Sequence, residues 1–348
     1  MAMVMRLGII ILFIWIVMVG CVDQQSPKVD QIEIHLETLR FEKDFFQVDT
    51  NHLENDIKRL EEKYPIFYSD FKNKLLGLAD LDSSKSMTMI KKFLHDYRYI
   101  FDSTKNMDQA IETSKNTIKE SFKYVHYYFP QYSLPKQLIT FVGPIDAFAY
   151  GEIGGSGEII TQDAIATGLQ LHLGSNSAVY KSELGQQLYP EYVSRKFTNE
   201  YIPSNCIKNV IDDLYPPLPS NTSLLDRLID HGKRMYLLDL FMPFEKDEIK
   251  LGYTTAQLKG AIENEGYIWN YFTENNLLFQ TDDLRIRSFV TDGPLTSEFG
   301  IGSPGFISLF MGRQIIKAYM KQHPDTPVET LLKTDARSIL NGSKYRPK

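Results

Sequence analysis

The sequence predicts an α+β protein that is predominantly α-helical, its helices packed on a small central sheet. Apolar residues recur at helical spacing through most of the chain. Short apolar runs bounded by Gly and Pro, the mark of strands, are confined to one region, 137–161. Hydrophobic residues make up 43% of the sequence and charged ones 24%, a balance that suits a buried core with a solvated surface.

The first segment stands apart from that pattern. Arg6 and the amino group precede an almost unbroken apolar run over 7–19, about thirteen residues and so short for a spanning helix. Gly20 and Cys21 follow at once, the small residue and the thiol that a lipoprotein signal peptidase requires. Met18 fills the place more often taken by Leu, and its flexible apolar side chain suits a similar pocket. The expectation is a signal peptide over 1–20, lipidation of Cys21 and a tether over 21–30, where a polar stretch with Pro27 shows no apolar periodicity. The alternative is an uncleaved anchor with a chance cysteine.

The globular domain is then expected over 31–348, with a helical N-terminal third to about 135 and a mixed α/β part over 136–348. A formal net charge of −6 and the lack of a basic face exclude nucleic acid as a partner. With Cys21 lipidated, only Cys206 remains, so no intrachain disulfide can form in any compartment.

Helical spacing marks 51–63, 85–101 and 108–128, the last stopped by Pro130. Leu138, Ile139, Phe141 and Val142 form a strand signal ended by Gly143 and Pro144, and 147–150 and 158–161 are further candidates. The glycine-rich segment 151–157 lacks the Lys-Ser/Thr ending of a phosphate loop and the spacing of a dinucleotide fingerprint, so it reads as a hairpin connection. After an apolar stretch over 163–173, short helices are expected around 191–197 and 205–214. The run Tyr215-Pro216-Pro217-Leu218-Pro219 then forms a rigid break.

The next helix is the most informative. Thr222 or Ser223 can cap it, with Asp226 placed to complete a capping box from Ser223, and Pro243 closes it. Leu225, Leu228, Ile229, Gly232, Met235 or Tyr236, and Leu240 mark a buried stripe, and Asp239 falls at its edge, where it is expected to face water, with a buried ion pair as the alternative. A zinc-peptidase helix places two His at i and i+4 with a Glu after the first. Here His231 holds the first place, but Gly232 and Met235 stand where the base and the second ligand would be. Glu263 or Glu265 could add one ligand without restoring the set. No catalytic residue, metal ligand or cofactor is expected, and His231, Gly232 and Met235 read as an eroded helix of zincin type.

A second long helix is expected over 254–278, with Leu258, Ile262, Ile268, Trp269 and Phe272 in the core. A third, over 306–321, follows Ser303-Pro304-Gly305 and keeps Gly312 in its middle at about 1 kcal/mol against Ala, which close packing would justify. Helical segments at 328–332 and 336–340 precede an exposed tail.

Three stretches carry a resemblance: Gly232-Lys233-Arg234-Met235-Tyr236-Leu237-Leu238-Asp239; Gly252-Tyr253-Thr254-Thr255-Ala256-Gln257-Leu258 with Glu265 and Ile268-Trp269; and Ser303-Pro304-Gly305 with Gly312, Gln314-Ile315-Ile316 and Tyr319-Met320. With the closing Ser343-Lys344-Tyr345-Arg346-Pro347, they resemble the gliding-motility lipoprotein GldB family, although Arg313 stands where an aromatic residue is expected. The resemblance implies a non-enzymatic part of the gliding machinery of Bacteroidota, an apparatus linked to protein secretion. It would be held by its N-terminal lipid in the cell or outer membrane, facing the periplasm, with other envelope proteins as partners. It also implies a degenerate zincin-like C-terminal half. The competing function is a zincin-related envelope hydrolase with an unrecognised site.

Cys21→Ser is expected to abolish incorporation of a palmitate label in cells, since no other thiol lies near the cleavage site. Label retained by that variant would refute lipidation at Cys21.

Overall fold

The computed structural model describes residues 26–149, 156–219 and 221–348. The expected signal peptide, Cys21 and the first half of the tether lie outside the described residues, as does 151–155 of the glycine-rich segment. No helix among the described residues is long and apolar enough to cross a membrane.

Four strands form one mixed sheet in the order β1 (Glu37–Arg40), β2 (Gln137–Phe141), β4 (Ala164–Gly168), β3 (Glu158–Ile160). β2 runs parallel to both β1 and β4, and β3 is antiparallel to β4. The central strands carry near-continuous apolar runs because both their faces are covered. Alternate residues feed two different cores. Leu138 and Ile165 point into one, whereas Ile139, Phe141, Ala164 and Ala166 point into the other.

The second of these cores is built by the N-terminal helices α1 (Phe41–Phe46), α2 (Leu53–Lys63), α3 (Pro65–Asp70), α4 (Ser83–Asp96) and α5 (Arg98–Ser103). Phe41 is its hub, with ring centroids of Phe45, Tyr64, Phe67 and Phe71 between 4.9 and 5.3 Å away. The larger core lies on the other face and begins with α6 (Asp108–Tyr128). Three short helices, α7 (Ala178–Lys181), α8 (Glu183–Leu188) and α9 (Glu191–Ser194), then lead to α10 (Tyr201–Leu214). α11 (Leu224–Phe241), α12 (Asp247–Leu251), α13 (Thr255–Glu263), α14 (Glu265–Glu274) and α15 (Asp283–Val290) follow. The chain ends with α16 (Ile307–Gln322), α17 (Val328–Lys333) and α18 (Ala336–Ser343).

The structure departs from the sequence expectations at several places. β1 lies inside the otherwise helical N-terminal third. As a four-residue edge strand it shows little alternation, and its pairing with β2 spans about a hundred residues, so local pattern could not reveal it. The 147–150 segment is not a strand where it is described. Ala147 N and Ala149 N donate to Pro144 O and Asp146 O in successive turns, and Tyr150 lies outside the described residues. The observed hairpin is instead β3–β4, closed where Thr161 N donates to Ala164 O at 2.8 Å.

Two expected helices are each broken once. The 85–101 pattern becomes α4 and α5, parted at Tyr97, and α4 starts early because the Asp82 carboxylate accepts from Lys85 N at 2.9 Å. The 254–278 pattern becomes α13 and α14. Between them Asn264 donates its side-chain amide to Gly260 O at 2.8 Å, the local bond by which Asn competes with a helix. The break takes Ile262 out of the core to 55% exposure, while Ile268, Trp269 and Phe272 are buried as expected.

Phe41→Ala should cost about 3–5 kcal/mol, the range for removing a large ring from a packed core. Urea unfolding of the soluble domain measures it, and a loss under about 1 kcal/mol would contradict the hub role of Phe41.

Candidate functional site

α11 holds the sequence-predicted residues and is where a site was expected. Its start is the predicted capping box: Ser223 Oγ accepts from Asp226 N at 3.2 Å, and Asp226 Oδ2 accepts from Ser223 N at 3.1 Å. Beyond the expected stripe, Leu237, Leu238 and Phe241 are also buried, so apolar contact covers most of the helix circumference.

Gly232 faces α16 at the point where the two helices cross. A Cβ on Gly232 would stand 2.3 Å from Gly312 O, and one on Gly312 would stand 1.9 Å from Leu228 O. Backbone therefore touches backbone, and no side chain fits at either position. The place where a zinc peptidase would carry its catalytic Glu is filled by the neighbouring helix. Met235, in the place of the second histidine, is 3% exposed within the larger core.

His231 lies beside the crossing. Its Nδ1 is hydrogen-bonded to Ser308 Oγ at 2.8 Å, and its ring meets Phe306 edge-on at 5.0 Å. Phe306 immediately precedes α16 in the left-handed conformation, φ 56°, which costs a non-glycine residue about 1–2 kcal/mol. The His231 ring and a bond from Tyr253 Oη to Phe306 O at 3.0 Å hold it there. A Ser beside a His invites comparison with nucleophilic catalysis. Ser308 is wholly buried, however, so no substrate carbonyl reaches its hydroxyl in this conformation. Burial pulls the His231 imidazole down from its ordinary 6.5 to about 4, which leaves it neutral at pH 7.

The polar residues around the crossing are matched to structural partners. Lys233 Nζ donates to Leu332 O and Thr334 O at 2.9 and 2.7 Å, capping α17. Arg234 bonds Asp230 at 2.9 Å, Asp212, and Tyr215 O at 2.6 Å, tying α11 to α10 and to the proline-rich break. Asp239 takes the alternative setting, a largely buried ion pair, instead of facing water. Its two carboxylate oxygens accept from Arg313 at 2.6 and 2.7 Å, and Lys250 Nζ adds a bond at 3.0 Å. Burial works against the charge on Asp239, but the Arg313 bonds outweigh it and hold its carboxyl below the usual range. Glu265 is no free ligand either, since it accepts from Gln314 Nε2 at 2.8 Å and Tyr345 Oη at 2.6 Å. Glu263 is an exposed partner of Lys259. Among the described residues, no group of three or more His, Cys, Asp or Glu side chains could hold a metal ion.

A family model described as gliding motility protein GldB matches residues 22–347. The chain belongs to this family. No curated protein and no solved structure matches it. GldB membership makes the chain a gliding motility lipoprotein by family. The stretches that suggested GldB from sequence converge in space, and residues within them are packing and clamping groups: Gly232 on Gly312, Glu265 on Gln314 and Tyr345, and Asp239 on Arg313, the residue that departs from the family pattern. Thr254 and Gln257 complete a capping box on α13, and Trp269 meets Tyr345 edge-on at 5.1 Å.

The chain also holds a buried pair that sequence reasoning missed. His172 Nε2 and Glu158 Oε1 are 2.6 Å apart, Thr167 Oγ1 donates to the same carboxylate at 2.9 Å, and His172 Nδ1 lies 3.1 Å from Thr198 O. Glu158 and His172 stand fourteen residues apart across the β3–β4 hairpin, and no spacing rule joins them. The available signal was the single charged residue opening an otherwise apolar strand.

Gly312→Ala is expected to destabilise the domain by about 3 kcal/mol through overpacking, against a propensity that alone favours Ala by about 1 kcal/mol. An unchanged melting temperature would mean that the helices do not meet there. A second expectation concerns pH. The folded-state pKa of His231 is depressed, so the unfolded chain binds more protons between about 4 and 6.5. The resulting stability is full above 6.5 and is lost as pH falls towards 4. His231→Gln should flatten the pH dependence of urea unfolding in that window, and an unaltered slope would show that His231 is not held neutral.

Proposed function

We propose that the protein is a lipid-anchored, non-catalytic component of the gliding machinery, linked to protein secretion, that acts through contacts with other envelope proteins. The observation that carries this reading is the full-length family match combined with the use of the α11 residues. Gly232 and Met235 are packing residues, His231 braces the start of α16, and Lys233, Arg234 and Asp239 are bonded into the fold. Groups committed in this way are poorly placed to bind and turn over a substrate. The lipid on Cys21 accords with the family description and with the signal-peptide pattern of 1–20. His231, Gly232 and Met235 then form a structural relic of a zinc-peptidase helix, and loss of the base and second ligand accounts for the non-catalytic role.

Deleting the gene should abolish spreading of cells on a surface and reduce secretion, and His231→Gln should restore both when the protein is stable and abundant. Metal analysis of the purified soluble domain should find no stoichiometric zinc. One zinc per chain, or loss of motility with a folded and abundant His231→Gln protein, would instead favour a zincin-related hydrolase.

A further inference from the structure

The last turn of α6 and the loop after α11 form an aromatic surface beside the point where the tether enters the fold. Val29, 2% exposed, is the first residue of the larger core and fixes that point. Val29 and Tyr124 are buried in the same core, and the Asp30 carboxylate is near enough to Lys123 and Tyr124 to act on both electrostatically, so the entry lies on the side of the last two turns of α6. The Tyr124 ring meets Phe244 at 6.5 Å, near edge-on. Phe244 is 81% exposed at the tip of a turn in which Glu245 N donates to Met242 O at 3.2 Å. Pro243 sets the backbone of that turn, so Phe244 is presented rigidly and at little entropic cost. Tyr127, one turn beyond Tyr124, is 51% exposed and rests edge-on against Tyr128 at 5.0 Å.

We propose that Phe244 and Tyr127 form a membrane seat, resting in the headgroup layer of the bilayer that holds the lipid of Cys21. The inference rests on the lipidated reading given above. Val29 lies eight positions after Cys21, a span that even fully extended reaches roughly 29 Å. A folded body of this length has a radius of gyration of roughly 20 Å, so the face opposite the entry stays clear of the lipid. Within that reach, contact with lipid becomes an intramolecular event, and modest apolar surface suffices to orient the body. Phe and Tyr suit such a contact because large rings, one of them with a polar tip, are favoured at the membrane–water interface. Seating this side on the lipid turns the remaining surface of the domain towards its envelope partners.

The test uses the full lipidated protein in vesicles of phosphatidylethanolamine and phosphatidylglycerol, with or without brominated acyl chains. Phe244→Trp places a reporter on the seat. Leu284→Trp places one at an 87% exposed position near the start of α11, whose other end adjoins the seat about 27 Å away along the helix. The expected result is a blue shift and loss of emission in brominated vesicles for Phe244→Trp, and neither for Leu284→Trp. A protein that floats with the vesicles but leaves Phe244→Trp unquenched, or that quenches both variants equally, would overturn the seat while leaving the lipid anchor intact. Cross-linking from position 244 to a protein in intact cells, in place of quenching, would identify the surface as a protein-docking site. Failure to float would overturn the lipidated reading, and the seat with it.

Discussion

α11 and α16 cross where Gly232 and Gly312 leave no space between their backbones, and much of the C-terminal half is arranged around that contact. Helices usually keep their axes 8–10 Å apart because side chains separate them, and two facing glycines remove that spacer. The close approach brings Asp239 within bidentate reach of Arg313 and carries Lys233 to the end of α17. It also sets Ser308 against His231 at the start of α16. Each glycine weakens its own helix, and dispersion along the tight crossing offsets the loss.

The charged groups around the crossing act as clamps. Asp239 and Arg313 lie on different helices, and Asp247 accepts a further bond from Arg313 at 2.6 Å, joining α11, α12 and α16 at one guanidinium. A planar fork with five donors can hold two carboxylates at once, a task an aromatic side chain at the same place could not perform. The family-like residues of the C-terminal half serve the same end, from the Glu265 bonds to the Trp269 contact with Tyr345. The family-like residues of this half hold its helices in register.

The proposed lipid anchor and aromatic seat lie on one side of the molecule and would give it a polarity. The sheet divides it into a Phe41-centred core on one face and the crossing-centred core on the other. Val29 belongs to the latter, so the proposed anchor at Cys21 would lead into the half that holds the α11–α16 crossing.

Local pattern was enough for the helical character, the capping box of Ser223 and Asp226, the buried stripe of α11 and a packing reason for Gly312, because each depends on residues within one or two turns. The family resemblance was legible for a related reason, since its residues lie in short contiguous stretches. The sequence alone also determined that the chain carries a lipoprotein-like start and lacks the second histidine and the base of a zinc peptidase. What only the tertiary structure decided were features whose partners are far apart in the chain. Whether Asp239 faced water or an ion pair was settled by Arg313, seventy-four residues away, and β1 became a strand only by pairing with β2 about a hundred residues on. His231 and Ser308, seventy-seven residues apart, meet for the same reason. Helical periodicity reports which face of a segment is buried, but it carries no information about what covers that face. That choice belongs to the packing of helices and strands against one another.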